Sequence, residues 1–267
     1  MRVLLFHKIE VYLSMTIRLI YSLFMISIMI GSELDDGIIA YEKRADGAIG
    51  AKALSPNIDM AITVFEKAVS DPHLEEISSL YLLKSYYYKG TFVLTDENER
   101  KIEYTKGKVL GEEMVAKYPD SANLRYWYLT CLGKWAEVYG IFNAAKEGVA
   151  DLMKEHSEAI IELDPELENG GGYFMLGAVH FKSPYIPFIL SWPDNDDAIL
   201  WLQKAVNMGE ATPVQNNYLA RALYKNGQKK KAIRLVREVI STPPDPENLV
   251  EERFEIDEAK RLLTEFK

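Results

Sequence analysis

Small and apolar residues return along this chain at a fixed interval: one, a second four residues later, a third three after that, and usually a proline just beyond. The instances are Ala61, Phe65 and Ala68 with Pro72; Gly107, Gly111 and Met114 with Pro119; Met153, Ser157 and Ile160 with Pro165; Ala198, Leu202 and Ala205; and Ala232, Val236 and Val239 with Pro244. An i, i+4, i+7 spacing lays side chains along one helix face, and a proline past the last turn stops the helix. Each run predicts the second helix of a helical hairpin. The segments before them carry a partner pattern: Leu129, Leu132, Gly133 and Ala136; Tyr173, Leu176, Gly177 and His180; Asn216, Leu219, Ala220 and Leu223. A small residue inside that pattern lets the two helices of a hairpin approach closely. The prediction is an all-α protein, an α-solenoid of about five helical hairpins over residues 33–246. Residues 247–267 follow as a charged amphipathic helix with Leu249, Phe254, Ile256, Ala259, Leu262, Leu263 and Phe266 on its apolar side. Solenoids need such a C-terminal capping helix to cover their last face.

In the last unit, NNYLARALYKNGQKKKAIRLVREVISTPPD, Ala220 and Ala232 are 12 residues apart with Gly227 between them. This is the layout of a repeat of about 34 residues, and the unit resembles a tetratricopeptide (TPR) repeat from end to end. The fourth unit, GGGYFMLGAVHFKSPYIPFILSWPDNDDAILWLQKAV, adds glycines before its first helix, a proline- and aromatic-rich insertion, and an aspartate-rich start to its second. That layout resembles the T-component (TatT-like) family associated with TRAP transporters. The general repeat resemblance covers residues 38–245, and the T-component resemblance rests on residues 120–240. Enlarged repeats agree with it, since Gly133 to Met153 spans 20 residues and Gly177 to Ala198 spans 21. The resemblance implies an exported accessory subunit that works with a TRAP substrate-binding protein and holds a hydrophobic small ligand. A departure is the missing lipoprotein cysteine: the chain has 1 cysteine, Cys131, far from the N-terminus.

The opening residues have their own pattern. Arg18 precedes the apolar run LIYSLFMISIMIG, which gives way to ELDDG. The run is shorter than the roughly 18 residues of a membrane-spanning helix, and Gly31-Ser32 offers a cleavage site. Residues 1–32 therefore read as a signal peptide or an uncleaved N-terminal anchor, with Met15 an alternative start to Met1. The expected location is exported, periplasmic or envelope-associated. The chain as a whole has an ordinary globular composition, 48% hydrophobic and 27% charged, and its net charge is −9. An acidic chain without a basic stripe excludes nucleic acid as a partner.

Candidate chemistry changes little. The 4 histidines have no metal-ligand spacing; His156 in KEHSEAIIE lacks a second histidine one turn away and reads as a solvated helix face, whereas His180 holds a packing position. Cys131 has no activating base nearby and reads as a buried small hydrophobe. Asp194 to Asp197 lack the glycine and distal glutamate of a calcium loop and read as a helix N-cap. Gly170-Gly171-Gly172 has no strand before it, so it reads as an inter-repeat turn. The expectation is a binding protein, not an enzyme, with no catalytic residue, metal or cofactor.

TPR geometry places the first helices of successive hairpins along a concave groove, with groove-facing side chains beside the packing positions. That register brings Tyr81, Tyr88, Trp127, Lys134, Phe174, Phe181, Arg221 and Tyr224 toward the groove as ligand- or partner-binding candidates. An aromatic lining with sparse cations suits an apolar or ring-bearing small molecule or a hydrophobic peptide. Candidate partners are a protein, a hydrophobic small ligand and a second copy in a homo-oligomer. The insertion SPYIPFILSWP is unusually apolar for a loop, which marks either a cover folded over the groove or a docking surface.

Overall fold

The computed structural model describes residues 34–188 and 190–267; the signal or anchor expected over 1–32 lies outside the described residues. Helix α1 is described over 34–42 and pairs with α2 (Ser55–Ala68). Helices α3 (Glu75–Tyr88) and α4 (Glu97–Lys117) form the second hairpin, and α5 (Ala122–Tyr139) with α7 (Val149–Leu163) the third, with short α6 (Ile141–Lys146) inserted between them. Helices α8 (Leu167–Lys182) and α9 (Asn195–Met208), then α10 (Pro213–Lys225) and α11 (Lys229–Ser241), complete five hairpins before α12 (Leu249–Glu265). The fold is an all-α solenoid, and among the described residues no strand forms.

All five repeated runs fall on second helices, where Ala61, Phe65, Met114, Ser157, Ile160, Ala198, Leu202, Ala205, Ala232, Val236 and Val239 are buried. Glycine at the crossing points sets how close the helices come. A Cβ on Gly177 would stand 2.6 Å from Leu202 Cγ and 2.9 Å from the Leu202 backbone nitrogen, so α8 and α9 meet as only glycine permits. Local signals set the helix starts. Asp96 and Asp194 accept from the first backbone N–H groups of α4 and α9, and Thr212 with Gln215 forms a capping box at α10 beside Pro213. Enlargement of the third and fourth repeats is absorbed by α6 and by the segment between α8 and α9.

The triple glycine is not a simple inter-repeat turn. Glu168, Asn169 and Gly170 adopt positive φ (49°, 54° and 80°), and buried Gln215 donates to the Asn169 carbonyl at 2.9 Å. Gly171 and Gly172 lie buried inside α8, closed against Tyr126 and against Ile160 and Ile161.

Helix α12 does more than cap the last repeat. Its Ala259, Leu262 and Phe266 join the core against α10 and α11, but its first turn reaches back to the first hairpin, where Val250 is fully buried among Ala40, Ile58, Phe65 and Phe92. Arg44, 8% exposed, closes this seam. Its Nε donates to Glu251 Oε1 at 2.9 Å and its Nη2 to the Glu247 carbonyl at 2.9 Å and Asn248 Oδ1 at 3.2 Å. The guanidinium also lies over the Tyr41 ring (4.7 Å) and the Tyr88 ring (5.4 Å). The last helix thus bridges the two ends of the array.

Candidate ligand-binding cavity

First helices α3, α5, α8 and α10 form the concave wall, and α12 crosses in front of it. Between them lies a cavity of about 730 Å³. Leu129, Val149, Met153, Met175, Val179 and Leu190 supply an apolar floor. Tyr87, Tyr126, Trp127, Phe174, Tyr218 and Phe254 supply ring faces. The aromatics brace one another: Trp127 lies 5.5 Å from Tyr126 and 5.9 Å from Tyr87, and Phe174 meets Tyr218 edge-on at 5.3 Å. The Trp127 indole N–H is buried without a hydrogen-bond partner among the described residues.

Of the eight groove candidates, Trp127, Lys134, Phe174 and Arg221 line this cavity. Four do not. Tyr88 is 1% exposed and its hydroxyl donates to the Arg44 carbonyl, so it is core. Tyr81 stacks on Phe65 at 4.9 Å and meets Tyr41 edge-on, between the first and second hairpins. Tyr224 stacks on Phe266 at 4.1 Å, held by α12. Phe181 lies outside the cavity wall, edge-on to Tyr218 and under the Lys225 ammonium. The physical reason on α3 is register: the groove face runs through Tyr87, one residue before Tyr88, and continues to Thr91 in the π-helical turn Lys89–Val93. Tyr126, beside Trp127, and Tyr218, next to buried Leu219, also line the cavity and were not expected; Tyr218 does sit beside a packing position, the signal used for the others.

The groove cations are not free. Lys134 and Lys182 both pair with Glu137, at 2.9 and 3.2 Å. Burial alone would raise the Glu137 pKa, but the two ammonium groups pull it down to about 2. Arg221 pairs with Glu258 of α12, and buried Asn217 donates to Glu255 Oε2 at 2.8 Å. Burial pushes the Glu255 carboxyl up from its usual value against that hydrogen bond. Cavity charge is therefore mostly internally matched, which leaves apolar contact as the main attraction for a guest.

The fourth-repeat insertion folds back in part onto the cavity, which Leu190 lines. Leu190 is buried against the cavity, and Trp192 donates to Asp151 at 2.8 Å and meets the His180 ring edge-on. Tyr185 and Phe188 stay exposed. Buried His180 accepts from the Asp194 backbone N–H at 3.3 Å, in keeping with a packing histidine. His156 is not on a solvated face: it is half-buried, edge-on to Tyr128, with Nδ1 2.6 Å from an Arg125 guanidinium nitrogen. Cys131 is fully buried. Among the described residues no cluster of histidine, cysteine and carboxylate side chains could hold a metal ion, and no helix is long and apolar enough to cross a membrane.

A solved thermophilic TPR protein of Thermus thermophilus, TTC0263, superposes with a TM-score of 0.58 at 15% identity, covering 87% of this chain and 99% of that one. The chain has the tetratricopeptide-repeat fold. Regulator of microtubule dynamics protein 2 of Rattus norvegicus is 32% identical over 92 residues, which is 34% of this chain and 22% of that protein. The match thus spans about a fifth of that relative's length. No protein-family profile matches the chain. A TPR fold commonly mediates protein–protein interaction, and here the groove such proteins present is partly filled by the chain's own last helix.

Proposed function

We propose that this chain is a non-enzymatic, exported binding protein that encloses an elongated apolar small molecule between the concave face of its repeats and α12. The observation that carries this reading is the cavity of about 730 Å³ with apolar floor, aromatic walls and mutually paired charges. Such a volume falls within the range of small-molecule sites, and the rings supply broad apolar contact at low conformational cost. The T-component layout of residues 170–205 supplies the partner in this reading, a TRAP substrate-binding protein that exchanges the ligand with the cavity.

Native mass spectrometry of the purified protein tests the ligand, together with titration of the apolar fluorophore N-phenyl-1-naphthylamine. Ala136, a half-buried cavity residue, provides the control: Ala136→Phe fills the space and should weaken the fluorophore by about tenfold or more. Equal binding by wild type and Ala136→Phe would sink the cavity reading. Isothermal titration with a purified TRAP substrate-binding protein tests the partner, and absence of heat would remove it.

A generic envelope scaffold for protein assembly is the second reading. It is favoured by the exposed rings on the two segments that enlarge the repeats, Phe142 on α6 and Tyr185 and Phe188 on the insertion. Substituting all three with serine should abolish capture of a protein partner under this reading and leave fluorophore binding unchanged.

A further inference from the structure

A second concavity of about 410 Å³ adjoins the main cavity and shares Thr91, Lys134, Glu137 and Phe254 with it. The two meet along these four residues, where the Phe254 ring stands edge-on to Phe92 at 5.7 Å. Their chemistry differs. The main cavity is floored with aliphatic side chains, whereas the smaller chamber is lined by the cations Lys52, Arg100 and Lys134 against the single carboxylate of Glu137. That carboxylate is already shared between Lys134 and Lys182.

Lys52 and Arg100 are paired with no carboxylate among the described residues. The Lys52 ammonium donates to the Leu94 carbonyl at 3.4 Å. Arg100 Nε donates to the Gly90 carbonyl at 3.0 Å, and its guanidinium lies over the Tyr104 ring. On α4, Asp96 caps the helix and Glu97 pairs with Lys101, while the Arg100 charge also acts on the Glu97 carboxylate. In a chain with net charge −9, three cations around one shared carboxylate in a concave site give a local positive surplus. A concave wall concentrates that field on whatever enters it.

We propose that the smaller chamber holds the anionic head, a carboxylate or phosphate, of an amphipathic ligand whose apolar body lies in the main cavity. The tail rests on the cavity reading above; the head rests only on Lys52, Arg100 and Lys134. The guanidinium of Arg100 offers planar donors to an oxyanion, and the ammonium groups act as point charges beside it.

The test is a matched set of twelve-carbon probes on the full chain: dodecanoate, dodecyl phosphate, dodecanol and dodecyltrimethylammonium, with inorganic phosphate as a headgroup without a tail. The expected result is that the two anions bind about tenfold or more tightly than dodecanol and that the cation binds weakest. Raising the ionic strength to about 1 M should shrink the anion preference. Arg100→Gln should lose about tenfold for the anions and Lys52→Gln about threefold, with dodecanol unchanged. Lys52 is exposed, so Lys52→Glu can be made without threatening the fold, and it should lower anion binding further. Equal binding of anions and alcohol, or anion binding indifferent to Lys52→Glu, overturns the anionic head while leaving the cavity reading standing. Inorganic phosphate binding that depends on Arg100, with no twelve-carbon probe bound, supports the head site and overturns the cavity reading instead.

Discussion

Replacing Arg44 with methionine tests whether α12 is a structural bridge or only a terminal cap. The substitution keeps the aliphatic stem under Tyr41 and Tyr88 and removes the guanidinium with its bonds to Glu251, the Glu247 carbonyl and Asn248. Glu251 would remain in a seam where its Oε2 is already buried without a partner among the described residues. Breaking one side of a buried ion pair costs about 3–5 kcal/mol, because the other charge is left desolvated. The two side chains are 9% and 22% exposed, so the low end applies, about 3 kcal/mol. Denaturant unfolding of Arg44→Met, Glu251→Gln and the double variant measures both the loss and the coupling. The double variant should be less than additive by about 1–2 kcal/mol, as for groups in direct contact. Amide exchange should also quicken across residues 249–256 and stay slow in α9. A loss for Arg44→Met below about 1 kcal/mol, the ceiling for surface ion pairs, would refute the bridge.

Other measurements probe separate links in the chain from sequence to site. Gly177→Ala forces a methyl into Leu202 and should destabilise by about 1–3 kcal/mol, read from the shift in the unfolding midpoint; no shift would mean α8 and α9 are not so closely approached. Burial holds the His156 and His180 imidazoles below their usual pKa, with Arg125 adding to the effect at His156. Depressed folded values mean that the unfolded chain binds protons first, so stability should be flat above about pH 7 and fall as pH drops through about 6.5. The His156→Gln variant should show a shallower fall. Glu255 has the opposite sign: its raised folded pKa penalises the native state above about pH 4.5, so Glu255→Gln should gain stability at pH 7 and lose that advantage in acid. Fusing residues 1–32 to alkaline phosphatase should yield activity if they direct export; an inactive fusion would remove the exported location from the proposed function.

The number of hairpins and the pairing of their helices, though not the inserted α6, were legible in the chain because hairpin packing is local: the i, i+4, i+7 runs and the small residues opposite them make contacts within one repeat and its neighbour. Four of the eight groove candidates, Trp127, Lys134, Phe174 and Arg221, do stand on the cavity wall for the same reason, since helical period fixes the faces beside the packing positions. Tyr88 was misplaced because α3 presents Tyr86, Tyr87 and Tyr88 in succession, each on a different face. Composition cannot choose among three tyrosines. Packing did, burying Tyr88 under Arg44 and leaving Tyr87 to the cavity.

The chain by itself determined an all-α repeat array, the proline stops of its second helices and the aspartate start of α9. Tertiary structure decided where α12 goes. Its amphipathic pattern serves a terminal cap and a cross-brace equally, because hydrophobic period says which face is buried but not against what. The superhelical curvature brings the first hairpin within reach of the last helix, so residues 207 positions apart, Arg44 and Glu251, come to 2.9 Å. That closure adds Phe254, Glu255 and Glu258 to the lining of the groove, matches Arg221 with Glu258, and leaves Phe254 lining both the apolar cavity and the smaller concavity beside Lys52 and Arg100.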